Sequence, residues 1–163
     1  MARPKELALD TNLLLDLAEE KDWAHEFRER FQEAHYRLLC PRAVLEEIVW
    51  FEVNGDPRKR RLASTVLDHF QEWTLESFEV PAGANAVARR FGLFLIRKSL
   101  LPPKEKSDGL ILGQTSWAEI SLLVTSDHHL LGIDTALLAQ AFVEAGLFPV
   151  TPVHPRALMR AVR

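Results

Sequence analysis

Cysteine is almost absent: Cys40 stands alone among 163 residues, so no intrachain disulfide can form. Its apolar setting, "RLLC", suits a buried thiol better than a nucleophile. No Cys/His cluster with zinc-ligand spacing occurs, which argues against zinc. No apolar run approaches the ~18 residues of a membrane span, so no membrane partner is expected. The leading "MARPKELALD" has a basic start with no long apolar segment behind it; without a secretory signal, a cytoplasmic location is the expectation. Neither a G-x-G-x-x-G turn nor a G-x-x-x-x-G-K-[ST] loop follows a strand, leaving dinucleotide and P-loop nucleotide binding unsupported. Repeats and low-complexity linkers are missing too. Basic charge is not in excess: 20 Lys plus Arg face 23 Asp plus Glu, a formal net charge of −3. That balance does not advertise nucleic-acid binding. If a cation held four of the acids, however, the rest of the surface would be slightly basic.

What is present is an alternation of short strands and helices, which points to an α/β fold with a central, mostly parallel sheet flanked by helices, an α/β/α sandwich. "ELALD" reads as the first strand and "TNLLLDLAEE" as a helix entered at Thr11. Trp23, Phe27, Phe31 and Ala34 mark one face of the next helix. "YRLLC" is the second strand, and Pro41 is placed as the first residue of a helix through "RAVLEEIVWFEVN". Asp56 and Pro57 open another helix as N-cap and first residue, with Leu62, Val66, Phe70 and Trp73 as its inner stripe. "LESFEV" is the third strand. A helix over roughly residues 82 to 99 follows, with Val87, Phe91, Phe94 and Leu95 turned inward, and Pro102 and Pro103 stop it. Ser107 is placed as the cap of "DGLILGQTSWA", apolar nearly all round and so buried. "SLLVTSD" is a core strand, "DTALLAQAFVEAG" a helix ended by Gly146, "FPVTPV" a last strand, and "PRALMRAVR" a final turn or two of helix.

On that map, Asp10 ends the first strand and Asp127 the late one, and ligands of open α/β sheets bind outside such ends. Asp108 begins the buried helix, and Glu46 or Glu47 lies on the helix after the second strand. Glu47, directly before Ile48, is the one that leans toward the core edge, while Glu46 faces water. Each acid alone has a structural explanation, since helix N-termini welcome carboxylates. Together they would repel and raise one another's pKa values unless a cation neutralised them. Such hard oxygen ligands suit Mg²⁺ or Mn²⁺. Asp16, Asp22 and Asp134 read as solvated or capping residues.

"LALDTNLLLDL", "CPRAVLEEIV", "KSDGLILGQ" and "LLVTSDHHLL" together resemble the four acidic motifs of PIN-domain ribonucleases, in order and approximate spacing, from about residue 7 to 131. The resemblance implies a PIN-like nuclease domain over residues 1–150, with residues 151–163 as a C-terminal extension packed on it. It implies that Asp10, Glu47, Asp108 and Asp127 hold one or two Mg²⁺ or Mn²⁺ ions. Thr11 and Asn12 would orient the first aspartate, and Thr125 or Ser126 the last. The implied reaction is hydrolysis of an RNA phosphodiester. Many members of this size are VapC-like toxins, inhibited by an antitoxin and commonly homodimeric. A haloacid-dehalogenase-type phosphatase also begins with such an aspartate, but its second Asp is replaced here by Asn12. A catalytically silent PIN-like module that binds RNA or a partner protein is the alternative from another class.

"DPRKRR" places Arg58, Lys59, Arg60 and Arg61 in a first helical turn, where cations oppose the dipole, so phosphate contact is one reason for them and a solvated face the other. Arg90 and Arg97 flank the long helix's stripe and are candidates to guide RNA. Lys104 and Lys106, just before Asp108, are candidate substrate contacts, and Arg42 is either a salt-bridge partner or a phosphate ligand. His128 and His129 follow Asp127 directly; an exposed turn pair is the preferred reading and a proton shuttle beside the acids the other. Trp50 and Trp117 are assigned to the core, with Phe51 left open as a base-stacking residue.

Overall fold

A computed structural model describes residues 2–162. The chain begins in β1 (Glu6–Leu9), whose Leu7, Ala8 and Leu9 are buried. Strand β2 (Arg37–Pro41) pairs with it in parallel, Ala8 opposite Leu39, and β3 (Glu76–Phe78) pairs with β2. On the other side of β1 lies β4 (Leu122–Val124), followed at the edge by β5 (Thr151–Val153). The order is β3-β2-β1-β4-β5 with every pairing parallel. Central strands of such a sheet are apolar, as β1 is from Leu7 to Leu9, because both faces are covered. Pro152 falls in the edge strand, where a missing N–H is tolerated.

Parallel pairing requires crossovers. α1 (Thr11–Ala18) and α2 (Asp22–Glu33) connect β1 to β2, and α3 (Arg42–Asn54) and α4 (Pro57–His69) connect β2 to β3. α5 (Ala82–Arg97) and α6 (Lys106–Trp117) carry the chain back across to β4, and α7 (His128–Leu131) and α8 (Thr135–Glu144) lead to β5. α9 (Pro155–Ala161) returns to pack on α2. The chain therefore steps outward from β1 to β3, then reverses to β4. The right-handed crossover rule sends connections running in opposite directions to opposite faces of the sheet, which makes the architecture α/β/α. The sheet's topological switch point lies between β1 and β4, where a crevice opens at the carboxyl ends.

Several helix boundaries follow from local chemistry. Asp56 caps α4 by accepting from the Lys59 N–H at 2.9 Å, with Pro57 first in the helix. Asp134 likewise accepts from Leu137 N at 3.0 Å. Gly146 ends α8 at φ +69°, a conformation that favours glycine. Pro41 stands one place earlier than expected, as the last residue of β2, so that α3 begins at Arg42.

The inner face of α5 also departs from the expected stripe. Phe91 and Leu95 are buried, but Val87 is about half exposed, and Ala88 and Gly92 take the contact instead. The reason is how closely α5 meets α6. A Cβ on Gly109 would lie 2.4 Å from Gly92 Cα, and one on Gly113 2.6 Å from Ala88 Cα. Only small residues permit that approach. It draws α6 into the interior, where Ile111, Leu112, Thr115 and Ser116 are buried. Trp50 and Trp117, expected in the core, are both exposed: Trp50 lies on the outer side of α3, which buries only Ala43, Val44 and Ile48, and Trp117 stands at the end of the otherwise largely buried α6.

Candidate metal centre at the sheet's switch point

The two ends of the sheet treat acids differently. At the amino ends, Glu6 and Glu76 are neutralised by Arg37, which donates to them at 2.9 Å from Nη1 and Nε respectively. At the carboxyl ends no Lys or Arg among the described residues forms an ion pair with Asp10, Glu47, Asp108 or Asp127, although Lys59 and Lys104 line the same cleft. Asp10 follows β1 directly and its N–H donates to Val124 O at 3.0 Å, so the pairing of β1 with β4 fixes its backbone. Asp127 lies three residues past β4 and caps α7, accepting from His129 N at 2.8 Å. Asp108 enters in the first turn of α6, held inward by the α5–α6 contact, and Glu47 comes from α3.

All four face one cleft of about 580 Å³, together with Thr11, Asn12, Glu105, Trp50, Phe51, Lys59 and Lys104. Asp10 is only 2% exposed and Asp108 7%. Burial raises the Asp10 carboxyl to about 6 even though the Thr125 hydroxyl and Thr11 backbone hold it down, and the charges of Asp127 and Asp16 add to the rise. Glu47 is lifted to about 7, first by burial and then by the charge of Asp10, with Lys59 opposing. Asp108 reaches about 9, from burial and then from Asp10, Asp127, Glu105 and Glu47. Burial first, and mutual repulsion among the carboxylates second, produce this pattern, and a divalent cation would relieve it.

One acceptor of the cluster also stands without a protein partner among the described residues. Asp108 Oδ2 is buried without a hydrogen-bond partner, an arrangement that costs about 1–3 kcal/mol if nothing else satisfies it. Carboxylate oxygens of Glu105, Asp108 and Asp127 all lie within 4.8 Å of one another. The donor set is all oxygen, which fits Mg²⁺ or Mn²⁺.

The supporting residues are arranged with one crossing of roles. The buried Thr125 hydroxyl donates to Asp10 Oδ2 at 2.7 Å and accepts from Asp127 N at 3.0 Å, tying both aspartates. Ser126 donates instead to Asp16 Oδ2 at 2.7 Å, whose other oxygen meets Lys21 Nζ at 2.5 Å. Asp16 is thus a buried, paired acid, not a solvated or capping one. Thr11 Oγ1 is buried with no partner, so Thr11 supports Asp10 through its backbone. Asn12 lines the cleft. Glu46 is exposed and pairs with Arg42 at 2.8 Å, while the same Arg42 reaches Glu79 at 3.5 Å.

The basic residues divide sharply. Lys59 lines the cleft with its Nζ 4.5 Å from the Phe51 ring centroid, and Lys104 lines it from the loop before α6. Arg58 pairs with Glu19, and Arg60 donates to Gly55 O at 2.7 Å. Arg61 is exposed, and Lys106 starts α6 without lining the cleft. Arg90 and Arg97 line a different cavity, between α5 and the end of α8. His129 lies 3.8 Å from Glu105, and His128 with it lines a third cavity.

Glu105 also lines the cleft, and no acidic motif of the sequence marks it. Flanked by Lys104 and Lys106, it reads as part of a solvated charge run. Its signal is position: three residues before Asp108, it falls on the same helical side one turn earlier.

A five-stranded parallel sheet of order 3-2-1-4-5 with acids gathered at its switch point has the PIN-domain, VapC-like fold. No protein-family model matches the sequence, and no curated protein does. Among solved structures, the chain is similar to VapBC2 from Rickettsia felis bound to a DNA fragment from its promoter. The TM-score is 0.62 with 16% identity over 91% of this chain and 98% of that one. FitAB bound to an IR36 DNA fragment gives a TM-score of 0.48 with 15% identity over 91% of this chain and 94% of that one.

Proposed function

We propose that the protein is a divalent-metal-dependent ribonuclease and the toxin of a toxin–antitoxin pair, with Asp10, Glu47, Asp108 and Asp127 as its catalytic and metal-holding acids. The observation that carries this is the concentration of desolvated, mutually repelling carboxylates at the switch point, including a buried Asp108 oxygen with no partner. The fold it shares with VapBC2 supports the toxin assignment.

Bound there, Mg²⁺ or Mn²⁺ would supply a nucleophilic water at neutral pH and charge stabilisation at the scissile phosphate. The chain's own residues do the rest. Thr125 holds Asp10 and the Asp127 backbone in a fixed relation, so two of the acids are preorganised by one hydroxyl. Lys59 and Lys104, on the rim, meet phosphates of the incoming strand and offset the acids' repulsion of RNA. No side chain is needed as a covalent nucleophile; Cys40 is buried, and burial pushes its thiol pKa far up.

The test is cleavage of labelled structured and unstructured RNAs by protein freed of any co-purified partner, with Mn²⁺ or with EDTA, beside Asp10→Asn. Cleavage should require metal and vanish in the variant, whose melting curve should remain cooperative. Cleavage indifferent to both changes would overturn the assignment. RNA binding with no cleavage would favour a silent module. An antitoxin-like reading frame directly upstream in the genome would support the toxin assignment.

A further inference from the structure

We infer that Glu105 is a further ligand of the divalent cation, completing a ligand set with Asp108 and Asp127 on the α6 side of the cleft. The inference rests on the metal-dependent reading and specifies its ligand set. Three observations converge on it. The carboxylate oxygens of Glu105, Asp108 and Asp127 lie within 4.8 Å of one another. Oxygens on opposite sides of one Mg²⁺ stand about 4.2 Å apart, at ~2.1 Å each, so small side-chain rotations suffice to enclose an ion.

The second observation is which oxygens remain free. Asp10 Oδ2 is occupied by the Thr125 hydroxyl, and Asp127 Oδ1 by the His129 N–H. Asp108 Oδ2, by contrast, is buried without a partner among the described residues, on the side chain whose carboxylate gathers with those of Glu105 and Asp127. A buried acceptor left open in this way calls for a donor or a cation.

The third concerns Glu105 itself. It occupies the N-cap position of α6 and makes no cap hydrogen bond, so its carboxylate is not engaged by the free N–H groups of the helix. Its one ion-pair contact among the described residues is His129 at 3.8 Å, and neither flanking lysine reaches it. Glu105 is half-buried and its charge is turned toward two other acids while both local sources of compensation go unused. A cation accounts for that orientation.

The experiment measures Mn²⁺ affinity directly, by isothermal titration or Mn²⁺ electron paramagnetic resonance, for the wild type, Glu105→Gln and Glu26→Gln. Glu26, exposed on α2 beside Arg30, controls for the loss of one negative charge. Glu105→Gln should bind Mn²⁺ at least about tenfold more weakly, the lower range for losing even an outer-shell partner. Glu26→Gln should match the wild type. In EDTA, Glu105→Gln should melt no lower than the wild type, which separates ligand loss from misfolding. Equal Mn²⁺ affinity in Glu105→Gln and wild type, with RNA cleavage intact, would overturn the role of Glu105 and leave the metal-dependent activity standing. A wild type that binds no Mn²⁺ would remove both.

Discussion

Thr125 and Asp10, far apart in sequence, are joined by a buried 2.7 Å hydrogen bond from the threonine hydroxyl to Asp10 Oδ2. The same hydroxyl accepts from the Asp127 N–H, so one side chain fixes the ends of β1 and β4 relative to each other. Thr125→Val removes the donor and leaves the carboxylate desolvated. The donation lowers the Asp10 pKa, so its loss should move that pKa above about 6, as read by carboxyl-carbon NMR of the metal-free protein. Stability near neutral pH should fall by about 1–3 kcal/mol. Thr125→Ser should restore both.

The metal-free protein should lose stability as pH rises. Asp10, Glu47 and Asp108 have folded-state pKa values raised to about 6, 7 and 9. Unfolded carboxyls titrate near about 4, so between there and about pH 9 the folded state holds more protons than the unfolded one, and stability declines with pH. The melting temperature in EDTA should therefore drop from about pH 5 to about pH 9, and added Mn²⁺ should restore it most at the alkaline end. Asp108→Asn removes a carboxyl that is protonated in the folded state and ionised in the unfolded one, so it should raise the EDTA melting temperature, most at alkaline pH, by roughly 2–4 °C for each kcal/mol gained. It should also weaken Mn²⁺ binding.

Glycine placement positions Asp108. Gly109→Ala sets a Cβ 2.4 Å from the Gly92 backbone, so α6 must move away from α5 and carry Asp108 with it. Stability should fall by about 1–3 kcal/mol, and Mn²⁺ affinity should fall as well. Gly83→Ala in the first turn of α5, where an added Cβ meets nothing within 4 Å, should be neutral or stabilising by about 0.5–1 kcal/mol. Thermal melts and Mn²⁺ titrations of both variants check this.

Lys59 lines the cleft and its charge acts on Glu47; on the proposed function it also meets the phosphates of the incoming strand. Lys59→Ala should weaken binding of single-stranded RNA and reduce the slope of log affinity against log salt by about 0.7. It should also raise the Glu47 pKa above about 7, because the lysine's charge is what opposes the rise. Binding isotherms across a salt series, with NMR titration of Glu47, measure both.

Much of this was legible in the sequence because strand ends and helix caps are local. Asp56 and Pro57 open α4 as read, and the apolar runs of β1, β2 and β4 lie in the sheet. Asp10, Glu47, Asp108 and Asp127 share one cleft, as placing acids at strand ends and early helix turns implied. What escaped depends on the third dimension. Val87 is half exposed because the α5–α6 contact runs through small residues, which a hydrophobic stripe does not register. Asp16 is buried through Ser126 and Lys21, a pairing across more than a hundred residues. Arg90 and Arg97 line a cavity away from the acids, since periodicity gives a helix face but not what that face looks onto.

The raised carboxyl pKa values also bear on what the cleft exchanges with its surroundings. At neutral pH the metal-free protein keeps Asp108, and partly Glu47, protonated. Loading a divalent ion must then expel those protons, so uptake is an acid-releasing reaction whose apparent affinity climbs with pH. Titrated in buffers of different ionisation enthalpy, the binding heat should change in proportion, and the slope counts the protons the cleft had held in place of an ion.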